Sequence, residues 1–155
     1  CPHCYRLEPH IEEWLETKPE DVVFVRMPAV LSPRWELLAR AWYTADLLGV
    51  TEQIHKPLFT AIHGERERIN NVDQLRDFFV EQGVSGEDFD RTFHSFGVAS
   101  KINRAREMTR RYQVRGVPTL IINGKYRTSA SEAGSHAATI EVTNHLIEQE
   151  REAGD

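Results

Sequence analysis

Cys1-Pro2-His3-Cys4 sets two thiols three positions apart, a spacing at which one disulfide can form, be passed on and re-form. No other cysteine occurs in the chain, so any disulfide within one chain must join these two. A helix is predicted to follow, because Leu7, Ile11, Trp14 and Leu15 recur at helical spacing and Cys4 extends that stripe backwards. Cys4 then points toward the core, while Cys1 sits at the N-terminal tip. There the unpaired backbone N–H groups and the positive end of the helix dipole favour an anion. A cysteine so placed is expected to ionise far more readily than an ordinary thiol. His3, inside the bridge, can add a donor or a positive charge beside the sulfur. The candidate catalytic set is Cys1 as the reactive sulfur, Cys4 as the resolving one, and Pro2 and His3 between them.

The competing reading of the same four residues is half of a zinc site. Structural zinc usually takes four protein ligands and this motif supplies two. No second Cys-x-x-Cys exists, and His10, His55, His63, His94, His136 and His145 are scattered without the usual paired spacing. A purely structural disulfide is the weaker reading, because so short a loop constrains the unfolded chain little.

The elements that must hold this motif can be read in order. Asp21–Met27 is a β-branched run between Pro19 and Pro28 and is predicted to be a buried strand. From about Ser32 to Tyr112 nearly everything reads as helix. Trp35, Leu38, Trp42, Ala45 and Leu48 form one stripe ended by Gly49, with Trp35 and Trp42 taken as core. Thr51 is read as the N-cap of a segment carrying Ile54, Leu58 and Ile62, which Pro57 kinks. Asn71 with Gln74 suggests a capping box, and Ser85 a cap for a short helix carrying Phe89 and Phe93. A long helix then places Val98, Ile102, Ala105, Thr109 and Tyr112 on one face. Strand character returns at Thr119–Ile122, Asn123-Gly124 is a two-residue hairpin turn, and Lys125–Thr128 is the return strand. Ser135 can cap a final helix holding Ile140, Val142, Leu146 and Ile147.

A chain of 155 residues, 40% apolar and 28% charged, is ordinary for a globular domain with a real core. The net charge of −5 argues against nucleic acid as the partner. Lys101, Arg104, Arg106, Arg110, Arg111 and Arg115 form a basic run that reads first as a solvated helix face, with substrate steering as the alternative.

With the Cys-x-x-Cys on a helix tip and Gly116-Val117-Pro118-Thr119 opening the second strand region, the chain resembles the DsbA family of thiol–disulfide oxidoreductases over nearly its whole length. Cys-Pro-His-Cys-Tyr is typical of that family's active site, and Pro9, five residues after the second cysteine, recurs across thioredoxin-like proteins. Val117-Pro118 looks like the family's cis-proline loop, with Asn123-Gly124-Lys125-Tyr126 following as it does there. The resemblance implies an α/β, thioredoxin-like fold. Its core would be residues 1–30 and 113–155, with a helical domain inserted at 31–112. In that fold the strand running into the Cys-x-x-Cys helix is central, and this sequence does not contain it. Residues upstream of Cys1 are therefore expected, and the N-terminally incomplete core would otherwise leave strand edges unpaired.

The implied activity is donation of a Cys1–Cys4 disulfide to thiols of newly exported, unfolded proteins, with Val117 and Pro118 binding an extended substrate strand. The redox-active disulfide itself would serve in place of any cofactor or metal. Reoxidation would fall to a DsbB-like membrane quinone oxidoreductase, in the periplasm or another envelope compartment, with the protein a monomer. A disulfide isomerase or reductase on the same fold is the near rival, although isomerases of this type tend to carry Thr where Val117 stands. A kappa-type glutathione transferase shares the architecture but generally lacks the Cys-x-x-Cys. A binding module or chaperone without turnover is the rival from outside enzymology.

Overall fold

The computed structural model describes residues 1–154, which fall into two compact units. One joins Cys1–Arg26 to the chain from Arg111 onward, and the other is Met27–Arg110.

In the first unit, α1 (Pro2–Thr17) has Cys1 as its N-cap and Pro2 at its first position. Proline suits that position, since its ring presets φ and an N–H there would lack an intrahelical partner anyway. Two short strands, β1 (Leu120–Ile122) and β2 (Tyr126–Thr128), pair antiparallel with Ile121 opposite Arg127. Asn123 and Gly124 both take positive φ, +51° and +68°, the geometry of a tight hairpin turn whose twist matches the strands. After α7 (Ala130–Ala133), the last helix α8 (His136–Ala153) is capped by Ser135, whose hydroxyl accepts the Ala138 N–H. Trp14, Ile122 and Ile147 form the core between α1, the hairpin and α8, with Val22, Phe24 and Ile140 packed against it. The Trp14 indole N–H donates to Asn144 Oδ1 at 2.7 Å, which satisfies the one polar atom that this ring brings inside.

The expected strand Asp21–Met27 is not one. Its residues alternate between half-buried and exposed, with Val22 and Phe24 on the core and Val23 and Val25 84% and 70% exposed. The period of two that β-branched residues encode is therefore present. Among the described residues, however, no strand pairs with it, and the sheet has only β1 and β2. A strand is defined by its neighbour's hydrogen bonds, so the segment stays an extended, irregular stretch.

The second unit is helical. A 3₁₀ turn (Pro33–Trp35) leads into α2 (Glu36–Leu48), then α3 (Thr51–Phe59) and a π-helical turn (Thr60–Gly64). They are followed by α4 (Val72–Glu81), α5 (Gly86–Phe93) and α6 (Phe96–Arg111). Phe79 meets Phe89 at a tilt and Phe89 stacks on Phe93 at the centre of a core that includes Leu75 and Ile54. A second cluster joins Tyr43 to Val98, Ile102 and Ala105. Asn71 Oδ1 accepts the Gln74 N–H at 2.8 Å, while Gln74 Oε1 reaches back to the Asn70 N–H at 2.8 Å, one residue earlier than in the usual box.

Two local readings change. Val50 holds the N-cap position before α3 and Thr51 is already helical, so no side chain caps that end. Trp35 lies in the 3₁₀ turn and is 38% exposed, whereas Trp42 packs against the second cluster as expected. Downstream of Pro57 the helix widens, and the Glu65 N–H reaches Thr60 O at 2.9 Å. π-turns of this kind form where the ordinary ladder is interrupted.

Candidate active site

The tip of α1 gathers four of the residues singled out by the sequence. Cys1 Sγ accepts the Cys4 backbone N–H at 3.4 Å, so the sulfur is itself the helix cap. That contact stabilises negative charge on Cys1 and adds to the dipole at the helix start. Both cysteines are half-buried and are present as thiols. Burial pushes the Cys4 thiol above its ordinary pKa, and the carboxylate of Glu8, one turn on, pushes the same way. The two sulfurs thus sit in different settings. Cys1 has an N–H aimed at it, and Cys4 is biased toward its protonated form.

His3 is exposed and accepts at Nδ1 from the Arg6 guanidinium at 2.7 Å. Arginine can only donate, so Nδ1 is the acceptor in this pair. Pro2 contributes no N–H and occupies the first helical position.

From 116 residues along the chain, Val117 brings its carbonyl oxygen to Cys1, whose thiol donates to it at 3.6 Å. The Val117–Pro118 peptide is cis. Thr119 Oγ1 donates to Gly116 O at 2.7 Å just before β1 begins. The sulfur of Cys1 therefore lies between a backbone donor from its own helix and a backbone acceptor from the loop entering β1.

Some contributors were missed in the sequence. Arg6 donates to the His3 ring and Glu8 biases Cys4; their offsets of three and four residues on one helix were the available signal. Glu8 is also bound by Arg26 at 2.8 Å, and that guanidinium lies over the Phe24 ring. In the basic run, Lys101 pairs with Asp46 and Arg106 with Glu36, while Arg104, Arg110, Arg111 and Arg115 are exposed. Among the described residues, no group of three or more His, Cys, Asp or Glu is arranged to hold a metal ion.

Residues 20–141 match the model of the DSBA-like thioredoxin domain. The chain belongs to that family. A thiol:disulfide interchange protein DsbA from Pseudomonas syringae pv. tomato is 42% identical over 99% of this chain and 72% of its own length. The crystal structure of Pseudomonas aeruginosa DsbA superposes with a TM-score of 0.94 at 38% identity, covering 99% of this chain and 80% of that one. Proteus mirabilis DsbA, solved as a variant with a non-covalently bound peptide, superposes with a TM-score of 0.77 at 30% identity over 95% of this chain and 83% of its own. Like these DsbA relatives, the chain is a thiol–disulfide oxidoreductase with a DsbA-like thioredoxin fold, which works through a redox-active disulfide in place of a bound cofactor.

Proposed function

We propose that the oxidised protein donates a Cys1–Cys4 disulfide to thiols of newly exported, unfolded proteins. The observation that carries this reading is the position of the Cys1 sulfur between the Cys4 N–H and the Val117 carbonyl. A client thiolate attacks Cys1 Sγ, the Cys1–Cys4 bond breaks, and Cys4 leaves with the electron pair. Cys4 takes up a proton readily, because burial disfavours its thiolate. A second client thiolate then attacks the client sulfur bound to Cys1. The client disulfide forms, Cys1 departs as a thiolate, and the Cys4 N–H and the helix tip receive its charge. Two electrons have passed to the enzyme, and a membrane quinone oxidoreductase of the DsbB type removes them.

In this reading the backbone of Val117 and the turn at Pro118 hold an extended client strand, so unfolded chains are favoured over folded ones. That a related DsbA, from Proteus mirabilis, binds a peptide non-covalently supports peptide clients for this fold. Pro2 and His3 shape the tip, with His3 adding a donor or a positive charge beside it. Residues 31–112 are an inserted helical domain, and residues 1–30 and 113–155 are a thioredoxin-like core. Disulfide donation implies an envelope compartment that tolerates disulfides, the periplasm where there is one. The protein acts as a monomer.

The test mixes oxidised protein with a reduced, unfolded two-thiol client and counts thiols on both by mass. Loss of two client thiols for each Cys1–Cys4 pair reduced is the expected result. Client binding without loss of thiols would turn the reading into a binding module.

A further inference from the structure

The loop that brings Val117 to Cys1 is tied at both ends through one residue, by its side chain at the start and by strand pairing at the end. Arg127 on β2 leaves the hairpin and donates from Nη1 to Tyr112 O at 3.0 Å and to Gln113 O at 2.9 Å. Those carbonyls follow the last residue of α6, where helix ends leave acceptors unsatisfied and a cation is favoured. Gln113 adopts a φ of +53°, so the chain turns sharply there before running through Val114 to Pro118. At the other end, β1 begins at Leu120, and Ile121 is the ladder partner of Arg127. The residue that grips the start of the 113–119 loop is thus in register with the strand in which the loop ends. Tyr112 adds to the frame, since its hydroxyl lies 3.6 Å from where a Cβ would sit on the turn residue Gly124.

We propose that Arg127 is a positioning residue for client binding: it clamps the 113–119 loop so that the Val117 backbone is presented beside the Cys1 sulfur. Arg127 touches neither the sulfur nor the client and acts through Val117. Without the clamp, the carbonyls at 112 and 113 turn to water and the loop samples more conformations. A client strand must then supply the ordering that the guanidinium supplied before. A small dithiol has no backbone to pair with the loop and does not sense the change. The proposal rests on the reading that Val117 pairs with the client backbone.

The experiment compares the full chain with Arg127→Ala and Arg127→Lys in oxidising a cysteine peptide, the same peptide N-methylated beside its cysteine, and dithiothreitol. Loss of two hydrogen bonds from a charged donor at an exposed site predicts a KM for the plain peptide raised about three- to ten-fold in Arg127→Ala. The kcat stays within about two-fold, the dithiothreitol rate is unchanged, and Arg127→Lys recovers part of the KM. If both the peptide and the dithiothreitol rates fall together in both variants, Arg127 has a structural role only and the proposal is overturned. If N-methylation raises KM for the parent chain while Arg127→Ala leaves the plain-peptide KM unchanged, the clamp alone is refuted. If N-methylation has no effect on the parent chain, the backbone-pairing reading falls and the clamp falls with it.

Discussion

Substituting Cys1 with Ser and with Ala separates its two roles, as helix cap and as reactive sulfur. In α1 the Cys4 N–H is taken by Cys1 Sγ at 3.4 Å, the Tyr5 N–H returns to Cys1 O at 3.2 Å, and Pro2 has no N–H to satisfy. The side chain at position 1 is therefore the acceptor for one of the few donors of the first turn. Serine keeps an acceptor there and alanine keeps none. Loss of an N-cap side chain costs about 1 kcal/mol. In a chain of 155 residues that is a shift of about 2–4 °C in the thermal midpoint. Cys1→Ser should therefore melt about 2–4 °C above Cys1→Ala, followed by circular dichroism at neutral pH with reductant present. Neither variant should oxidise a dithiol peptide above background, and both should still bind it. Equal midpoints for the two variants would refute the capping geometry. Residual oxidation by Cys1→Ser would refute Cys1 as the reactive sulfur.

Three further outcomes follow from the surroundings of the site. His136 at the start of α8 has its imidazole pKa lowered, first by burial and then by the nearby His10, Arg6 and His3, and its Nδ1 lies buried without a hydrogen bond. Its neutral form is the one the fold accepts. The unfolded chain therefore binds the extra proton first, and stability declines as pH falls from about 6.5 through the lowered folded value. His136→Gln should flatten that part of a denaturant-midpoint profile, and an unchanged slope would remove His136 as its source. Glu150 accepts from Lys125 at 2.8 Å and from Asn123 at 2.5 Å, and the Lys125 bond, then Asn123, holds its carboxyl below the usual range. Its contribution is present above pH ~4.5 and is lost as pH falls through the depressed value. Glu150→Gln should lower the midpoint at pH 7 and leave it unchanged in strong acid, as read by the same titration. Trp14→Phe keeps the ring in the core but strips Asn144 of its donor. An unfolding free energy lower by about 1–3 kcal/mol is expected, and a smaller loss would show that water reaches Asn144.

Much of the site was legible along the chain because it is local. Cys1, Pro2, His3 and Cys4 are consecutive, a helix follows from the spacing of Leu7, Ile11 and Trp14, and a cysteine at its tip is an N-cap by position alone. The hairpin at Asn123-Gly124 and the caps at Asn71, Ser85 and Ser135 were legible for the same reason, since each depends on residues within four positions. Asp21–Met27 shows the limit. Its alternation is written in Val22, Val23, Phe24 and Val25, but whether it is a strand depends on a neighbour that no local pattern specifies. The Val117 carbonyl at Cys1 and the Arg127 grip on Tyr112 and Gln113 are likewise products of tertiary structure. Main-chain oxygens are the same at every residue, so sequence cannot mark which of them will meet a sulfur or a guanidinium. Only the packing of α1 and α8 around Trp14 and the hairpin makes that choice.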